Sequence, residues 1–113
     1  MDSYSLTPVA HGGRHSKQGR QLSAPEFELG QVVATPGGLT ALEEAGQSAG
    51  ELLSRHATGD WGDLSDEDRQ ENEFSLAHGF RLLSAYTLRD GTRIYAITEA
   101  DRSSTCLLLP EEY

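Results

Sequence analysis

Apolar residues recur with two different periods along this chain, and the change of period separates predicted helices from predicted strands. Residues 28–34 hold three aliphatic residues in a short run, which predicts a strand. Apolar residues then recur three or four positions apart through 36–46 and 48–55, and a third such segment spans about 65–78. This spacing predicts three helices, because residues three and four apart share one helical face.

The predicted helices begin and end at residues that favour those positions. Thr35 precedes a proline and Ser65 precedes three acids, so both residues can cap a helix N-terminus. The acids after Ser65 also favour the positive end of the helix dipole. We expect Phe74 and Ala77 to form the inward, apolar face of this third helix, and Gly79 to end it.

The last third of the chain has the pattern of β-strands. Two apolar-rich runs flank Asp90-Gly91, a dipeptide typical of two-residue hairpin turns. Such a turn places Tyr86 opposite Tyr95, and a third strand over 104–109 completes an antiparallel meander. The predicted fold class is therefore α+β, with two or three helices packed on a small antiparallel sheet of three to four strands.

The first 25 residues differ from the rest in composition. They hold glycines, serines and histidines with few large apolar residues, and three bases against one acid. Such a segment buries too little apolar surface to offset the entropy of ordering it. We predict a disordered tail over 1–25 and a single α+β domain over 26–113. A weakly basic interaction arm is the alternative interpretation of the tail.

The charge of the chain restricts its partners. Its 18 acids and nine lysines and arginines give a formal charge of −9. Direct nucleic-acid binding is disfavoured, because it depends on bases that contact phosphates. An acidic surface suits a protein partner with a basic surface, or it serves solubility alone. A single cysteine, no apolar run of membrane-spanning length and no apolar signal block lead us to expect a cytoplasmic protein.

Several blocks of sequence carry a resemblance to a known family. They are Leu29–Gly37, Arg55–Asp63, Leu83–Tyr86, Ile97–Ser103 and Leu108–Tyr113. In these blocks the region 27–113 resembles a widespread, poorly characterised family of short bacterial proteins encoded on plasmids and integrative elements. The resemblance implies an accessory protein of a mobile element and brings no established activity. Relatives are sometimes labelled as methylation subunits of type I restriction systems, but this chain lacks the glycine-rich cofactor loop of a methyltransferase.

The segment from His56 to Asp63 is the part of the sequence that most resembles a site. His56 can act as a general base, and His56, Asp60 and Asp63 can ligate a metal. Trp61 can stack on a ligand ring. The structural alternative is that Trp61 fills the core while the two aspartates make turn or capping hydrogen bonds.

A second candidate site lies at the predicted turn between the last two strands. Arg102 and Ser103 can hold a phosphate or carboxylate there, and Glu99 can act as a base. With His56, these residues form a candidate catalytic set for a hydrolase or ribonuclease. The structural alternative is a turn held by local hydrogen bonds around Arg102.

These patterns lead to one leading functional hypothesis. We predict a non-catalytic accessory protein of a mobile element that binds another protein, such as a defence or nucleic-acid-binding factor. The candidate binding residues are Asp60, Trp61, Asp63, Arg102 and Ser103. The alternative is a small hydrolase or ribonuclease-like enzyme that uses His56, Glu99 and Arg102. A third hypothesis is a homo-oligomer formed through an exposed sheet edge. No metal and no cofactor are predicted.

Overall fold

The computed structural model describes residues 4–5 and 24–113, and these residues form an α+β domain as predicted. The strands are β1 (Tyr4–Ser5), β2 (Gln31–Ala34), β3 (Leu82–Thr87), β4 (Arg93–Thr98) and β5 (Ser104–Leu108). The helices are α1 (Pro36–Ala45), α2 (Ala49–Ala57) and α3 (Asp66–His78), and a short 3-10 helix follows at Pro110–Glu112.

The five strands form one mixed sheet in the order β1-β2-β5-β4-β3. Strands β3, β4 and β5 make the expected antiparallel meander, in which Ala96 lies between Ser84 and Leu107. Strand β2 joins the other side of β5 in parallel, with Val33 opposite Cys106, so the sheet is not antiparallel throughout. Parallel neighbours need a long connection, and here all three helices and the β3–β4 hairpin lie between these strands in sequence.

The β3–β4 hairpin has a three-residue loop, so the predicted register is wrong by one position. The amide of Leu88 donates to the carbonyl of Thr92 at 2.7 Å, and the amide of Gly91 donates to the carbonyl of Leu88 at 2.9 Å. Gly91 has a φ of 92°, which is the left-handed conformation that follows a type I turn in such loops. Tyr86 therefore lies opposite Ile94 and not opposite the neighbouring tyrosine of β4.

Hydroxyl side chains cap the N-termini of the three α-helices α1, α2 and α3. Thr35, Ser48 and Ser65 each accept a hydrogen bond from the amide three residues later. Glycines in the left-handed conformation end α1 and α3, at Gly46 and Gly79. These caps supply partners to backbone groups that have none within a helix, which is why the helix boundaries follow from local sequence.

Helices α1 and α2 cover one face of the sheet, and the main core lies beneath them. Leu42 of α1 and Leu52 of α2 belong to one buried cluster with Tyr86, Ile94 and Leu107 of the sheet. Full burial of an aliphatic or aromatic side chain contributes about 1.5–3 kcal/mol relative to exposure. This cluster is therefore the main source of stability for the domain.

Helix α3 lies beside β3 and turns polar residues toward the domain. Its buried side chains are Asn72 and Ser75, whereas Phe74 is 52% exposed and Ala77 is exposed as well. The prediction that Phe74 and Ala77 form the inward face is therefore wrong. The physical reason is that the amide of Asn72 bonds to the backbone of Leu83 at the edge of the sheet.

Most of the predicted tail over 1–25 lies outside the described residues. Two of its residues form β1, where Tyr4 and Ser5 pair antiparallel with Ala34 and Val33 of β2. The other elements all fall within the predicted domain over 26–113. In the part of the chain that the structure describes, no helix has both the length and the apolar character needed to cross a membrane.

Candidate functional site

His56 lies on the inner face of α2, one turn after Leu52, and is fully buried. Its Nδ1 is 2.6 Å from the hydroxyl oxygen of Ser84, and its Nε2 is 2.8 Å from the hydroxyl oxygen of Thr98. In a neutral imidazole one of these nitrogens donates and the other accepts. Because both nitrogens are engaged by side chains of the sheet, the ring is not accessible to a substrate in this conformation.

The hydrogen bonds of His56 continue along a row of hydroxyl groups. The hydroxyl oxygen of Thr98 is 2.7 Å from the hydroxyl oxygen of Thr105. The hydroxyl of Thr105 in turn donates to the main-chain carbonyl of Leu29 at 2.8 Å. Burial, assisted by the positive charge of Arg102, lowers the pKa of His56 to about 4. His56 is therefore neutral at pH 7, and the network joins α2 to three strands through buried, satisfied polar groups.

Two aromatic rings enclose His56 from the side of the loop that follows α2. Phe27 meets the imidazole edge-on at a centroid distance of 5.2 Å, and Trp61 does so at 5.8 Å. Trp61 is only 2% exposed, and its indole N–H donates to the carboxylate of Glu73 at 2.7 Å. Trp61 therefore connects the loop to α2 and α3, and it has no exposed ring face on which a ligand could stack.

Asp60 and Asp63 take separate partners within the protein. The guanidinium of Arg55 meets both carboxylate oxygens of Asp60, at 2.7 and 3.3 Å. This hydrogen bond lowers the pKa of Asp60. Asp63 instead accepts a hydrogen bond from the hydroxyl of Thr87 at 2.8 Å. Each carboxylate therefore fastens the loop to a neighbouring element.

Gly62 brings this loop against the edge strand β3. The amide of Asp63 donates to the carbonyl of Ala85 at 2.6 Å, and the amide of Ala85 donates to the carbonyl of Trp61 at 3.1 Å. Gly62 has a φ of 78°, and a Cβ at this position would overlap the carbonyl oxygen of Ala85. Together with Asn72, this short bridge occupies the outer edge of β3, where another strand would otherwise pair.

Arg102 lies in the β4–β5 turn, with a φ of 61°, and its guanidinium donates to main-chain carbonyl oxygens. Nη1 donates to Phe80 at 2.7 Å, and Nη2 donates to Ser75 near the end of α3 at 3.3 Å. Nη1 also reaches two carbonyls of its own turn. Arg102 therefore holds the turn against α3 and directs these donors to the protein rather than to an anion.

Glu99 and Ser103 flank the same turn but do not join His56. Glu99 pairs with Arg81 at 3.1 Å, and the amide of Ser103 donates to the carboxylate of Asp101 at 3.0 Å. Within residues 4–5 and 24–113, no hydrogen bond or ion pair connects His56 to Glu99. The same residues contain no group of three or more histidine, cysteine, aspartate and glutamate side chains that could hold a metal ion.

Phe27 is the residue through which several of the candidate groups meet. Its ring stacks on Trp61 at a centroid distance of 6.3 Å, and the guanidinium carbon of Arg102 lies 5.6 Å from its centroid. Phe27 also touches His56, so these side chains form one packed cluster rather than an open cleft. This role of Phe27 could not be predicted from the sequence, because a single aromatic residue before a strand has no distinctive pattern.

Comparison of the chain with protein-family models, curated proteins and solved structures finds no match. Exposed groups that the fold itself does not use are the candidates for a functional surface. Two such features lie on and beside α3.

The first feature is an exposed aromatic cluster, formed by Phe74, His78 and Phe80. Phe74 stacks on His78 with centroids 4.1 Å apart and on Phe80 with centroids 5.9 Å apart. Phe74 and Phe80 are each 52% exposed. Sequence reasoning missed this cluster because it placed Phe74 inward. The sequence signal that could have indicated an exposed Phe74 is that the predicted helix has one aromatic residue and lacks a continuous apolar stripe that would face a core.

The second feature is a groove of about 440 Å³ between α3 and the outer face of β3 and β4, which we call the α3 groove. Asp68 and Glu71 line its helical wall, and Tyr95 and Tyr113 line its other side. The same two acids also border a shallow depression beside Phe74. The aromatic cluster and the α3 groove therefore form one continuous surface with acids between them.

Proposed function

We propose that this chain is a non-catalytic protein-binding domain, whose binding surface is the aromatic cluster together with the acidic side of α3. The observation that carries the proposal is the exposure of Phe74 on a helix that buries Asn72 and Ser75. Full burial of a large apolar side chain contributes about 1.5–3 kcal/mol, so a half-exposed phenylalanine leaves part of that free energy unused. Clustered exposed aromatic residues are typical of the energetic centres of protein interfaces.

The acids of α3 favour a partner with a basic surface. Five acids lie within residues 66–73, and all five are exposed. Arg69, the base in this segment, donates to the carbonyls of Leu64 and Gly62, so it is held against the domain. Complementary charge accelerates association and selects among partners, and its effect weakens with salt.

We further propose that the partner is a nucleic-acid-binding or defence protein of the host. The resemblance to proteins of plasmids and integrative elements favours an accessory role in which a mobile element acts on a factor of its host. A defence protein or another nucleic-acid-binding protein offers the basic surface that α3 would complement. Toward such a protein, an exposed acidic helix would imitate the charge of a nucleic-acid backbone.

The alternative function, a small hydrolase or ribonuclease-like enzyme, gains no support from the described residues. His56 is buried and neutral between two hydroxyl groups. Arg102 donates to main-chain carbonyls, and Glu99 pairs with Arg81. Catalysis of that kind needs a base, a carboxylate and a cation around an open cleft.

Site-specific photo-crosslinking in a lysate of a bacterial host tests the proposed function. A benzophenone amino acid replaces Phe74 or Phe80, and the control replaces the exposed Ser54 of α2. We expect the same discrete protein adduct from both aromatic positions and no such adduct from Ser54. The adduct should weaken when salt in the lysate is raised from about 0.1 M to about 1 M before illumination. Equal adducts at all three positions, or none at any, would contradict the proposal.

A further inference from the structure

The α3 groove has the size of a ligand site and is lined by charges of both signs. Its volume of about 440 Å³ lies within the range of roughly 300–1,000 Å³ typical of pockets that hold a ligand. Asp68 and Glu71, three positions apart on α3, supply carboxylates to one wall. Arg81 and Arg93 lie on the sheet side. The charges that remain without a partner in the protein therefore determine the sign of the charge that a ligand of this groove should carry.

In the part of the chain that the structure describes, no neighbouring side chain neutralises the carboxylates of the helical wall. Within residues 4–5 and 24–113, the carboxylate of neither Asp68 nor Glu71 takes part in an ion pair or a hydrogen bond. The arginines across the groove have partners, since Arg81 pairs with Glu99 at 3.1 Å and Arg93 donates to the carbonyl of Asp63 at 3.5 Å. The helical side of the groove therefore favours a cation.

Two tyrosine rings form an aromatic corner in the same groove. Tyr95 and Tyr113 meet edge-to-face, with centroids 6.0 Å apart and planes at 82°. Tyr113 is 64% exposed, so its ring is accessible from solvent. Aromatic faces attract guanidinium and ammonium groups and also pack against the aliphatic stems of arginine and lysine.

We infer that the α3 groove receives an arginine or lysine side chain from the partner protein. The charged head lies between Asp68 and Glu71, and the stem packs against Tyr95 and Tyr113. Because the same acids border the depression beside Phe74, an apolar residue near this arginine or lysine would reach the aromatic cluster. The inference rests on the proposed function and specifies its partner as a segment that joins a basic anchor to an apolar one.

Peptide selection on the full chain tests this inference. Random peptides displayed on phage are selected against the wild-type protein, and the enriched sequences are synthesised with arginine and with citrulline, which keeps the shape of arginine without its charge. We expect a basic residue beside an apolar one, and a loss of affinity of about tenfold or more on replacement by citrulline.

A double-mutant cycle locates the contact. The variant Asp68→Asn/Glu71→Gln should bind the arginine peptide about tenfold or more weakly, and replacement by citrulline should then cost little more. The control is Glu43→Gln/Glu44→Gln, which makes the same charge change at exposed positions of α1 and should bind like the wild type. An equal loss of affinity in this control would show that the effect comes from the net charge of the domain and not from the α3 groove, and it would overturn the inference.

The outcomes separate the inference from the proposed function. Peptides that lose binding in Phe74→Ser/Phe80→Ser but not in Asp68→Asn/Glu71→Gln would leave the protein-binding function standing and overturn the basic anchor. Enriched peptides without a basic residue would also overturn the basic anchor and leave the protein-binding function standing. A selection that enriches nothing at either surface would overturn both.

Discussion

Asn72 meets the backbone of Leu83 with both ends of its side-chain amide. Its Nδ2 donates to the carbonyl oxygen at 2.6 Å, and its Oδ1 accepts from the amide at 3.1 Å. A neighbouring strand would make the same two kinds of bond, so Asn72 takes the place of a strand at the edge of the sheet. This contact turns a polar residue of α3 inward, and Phe74 lies in solvent as a result.

Replacing Asn72 with alanine should destabilise the domain by about 2–3 kcal/mol, because both backbone groups of Leu83 lose their partner. Asn72→Asp should also destabilise it, since a carboxylate cannot donate to the carbonyl. Gln70→Ala, at an exposed position of the same helix, is the control and should change the free energy of unfolding by less than about 0.5 kcal/mol. Urea unfolding measures all three variants. Equal stability of Asn72→Ala and Gln70→Ala would show that Asn72 does not hold this edge.

The stability of the domain should fall as pH falls from about 6.5 toward 4, because folded His56 has the lower pKa. In that window the unfolded chain binds a proton at His56 and the folded chain does not. Stability therefore rises with pH, by up to about 3 kcal/mol across the whole window. Urea unfolding at about pH 5 and about pH 7 measures the difference.

The variant His56→Asn identifies the group responsible for this pH dependence. Asparagine places a polar atom near the position of Nδ1, where it can bond to Ser84, but it does not reach Thr98, so the variant should be less stable than the wild type. Because asparagine does not titrate, the stability of the variant should be nearly the same at both pH values. A pH dependence as steep as that of the wild type would assign the effect to other groups.

Replacing Glu73 with alanine should destabilise the domain by about 1–3 kcal/mol, because the indole N–H of buried Trp61 loses its acceptor. Trp61 is the sole tryptophan in the sequence, so tryptophan fluorescence, excited at wavelengths that tyrosine does not absorb, reports the surroundings of this one residue. We expect blue-shifted emission in the folded protein and a red shift on unfolding, at a lower urea midpoint in Glu73→Ala. Glu67→Ala, on the exposed side of α3, should keep the midpoint of the wild type. Red-shifted emission from the folded wild type would contradict the burial of Trp61.

Two glycine-to-alanine substitutions should have opposite effects. Gly62→Ala should lower the free energy of unfolding by about 2–4 kcal/mol, since φ is positive there and a Cβ overlaps the carbonyl of Ala85. Gly50 lies in α2 with open space around it, so Gly50→Ala should raise the free energy by about 0.5–1 kcal/mol. Thermal unfolding compares the two. A neutral Gly62→Ala would mean that the loop does not need its close approach to β3.

Local signals in the sequence predicted the parts of the fold that depend on neighbouring residues. Thr35 and Ser65 cap their helices, and Gly79 ends α3, because these contacts reach only a few residues along the chain. The hairpin register also depends on the length of the loop, which these local signals do not determine. A turn at Asp90-Gly91 fits both a two-residue and a three-residue loop, and the backbone bonds of the real loop select the longer one.

Features that depend on distant residues could not be predicted in this way. The parallel pairing of β2 with β5 joins segments at opposite ends of the domain, and no local pattern encodes it. His56 has the residue type of a general base, but its role is set by hydroxyl groups from other elements. Helical periodicity placed Phe74 inward because it takes no account of an unpaired strand edge, which Asn72 satisfies.

We propose that the aromatic cluster at the end of α3 binds a protein with a basic surface. Quantitative mass spectrometry tests this proposal by comparing the proteins captured from a bacterial host by the wild-type chain, by Phe74→Ser/Phe80→Ser and by Glu43→Gln/Glu44→Gln. Both phenylalanines are exposed, so the aromatic variant should stay folded, as circular dichroism would verify. We expect the wild type and the α1 control to capture a protein with a basic surface, and the aromatic variant to capture about tenfold less of it or lower still. Equal capture by the aromatic variant and the wild type would contradict the proposal.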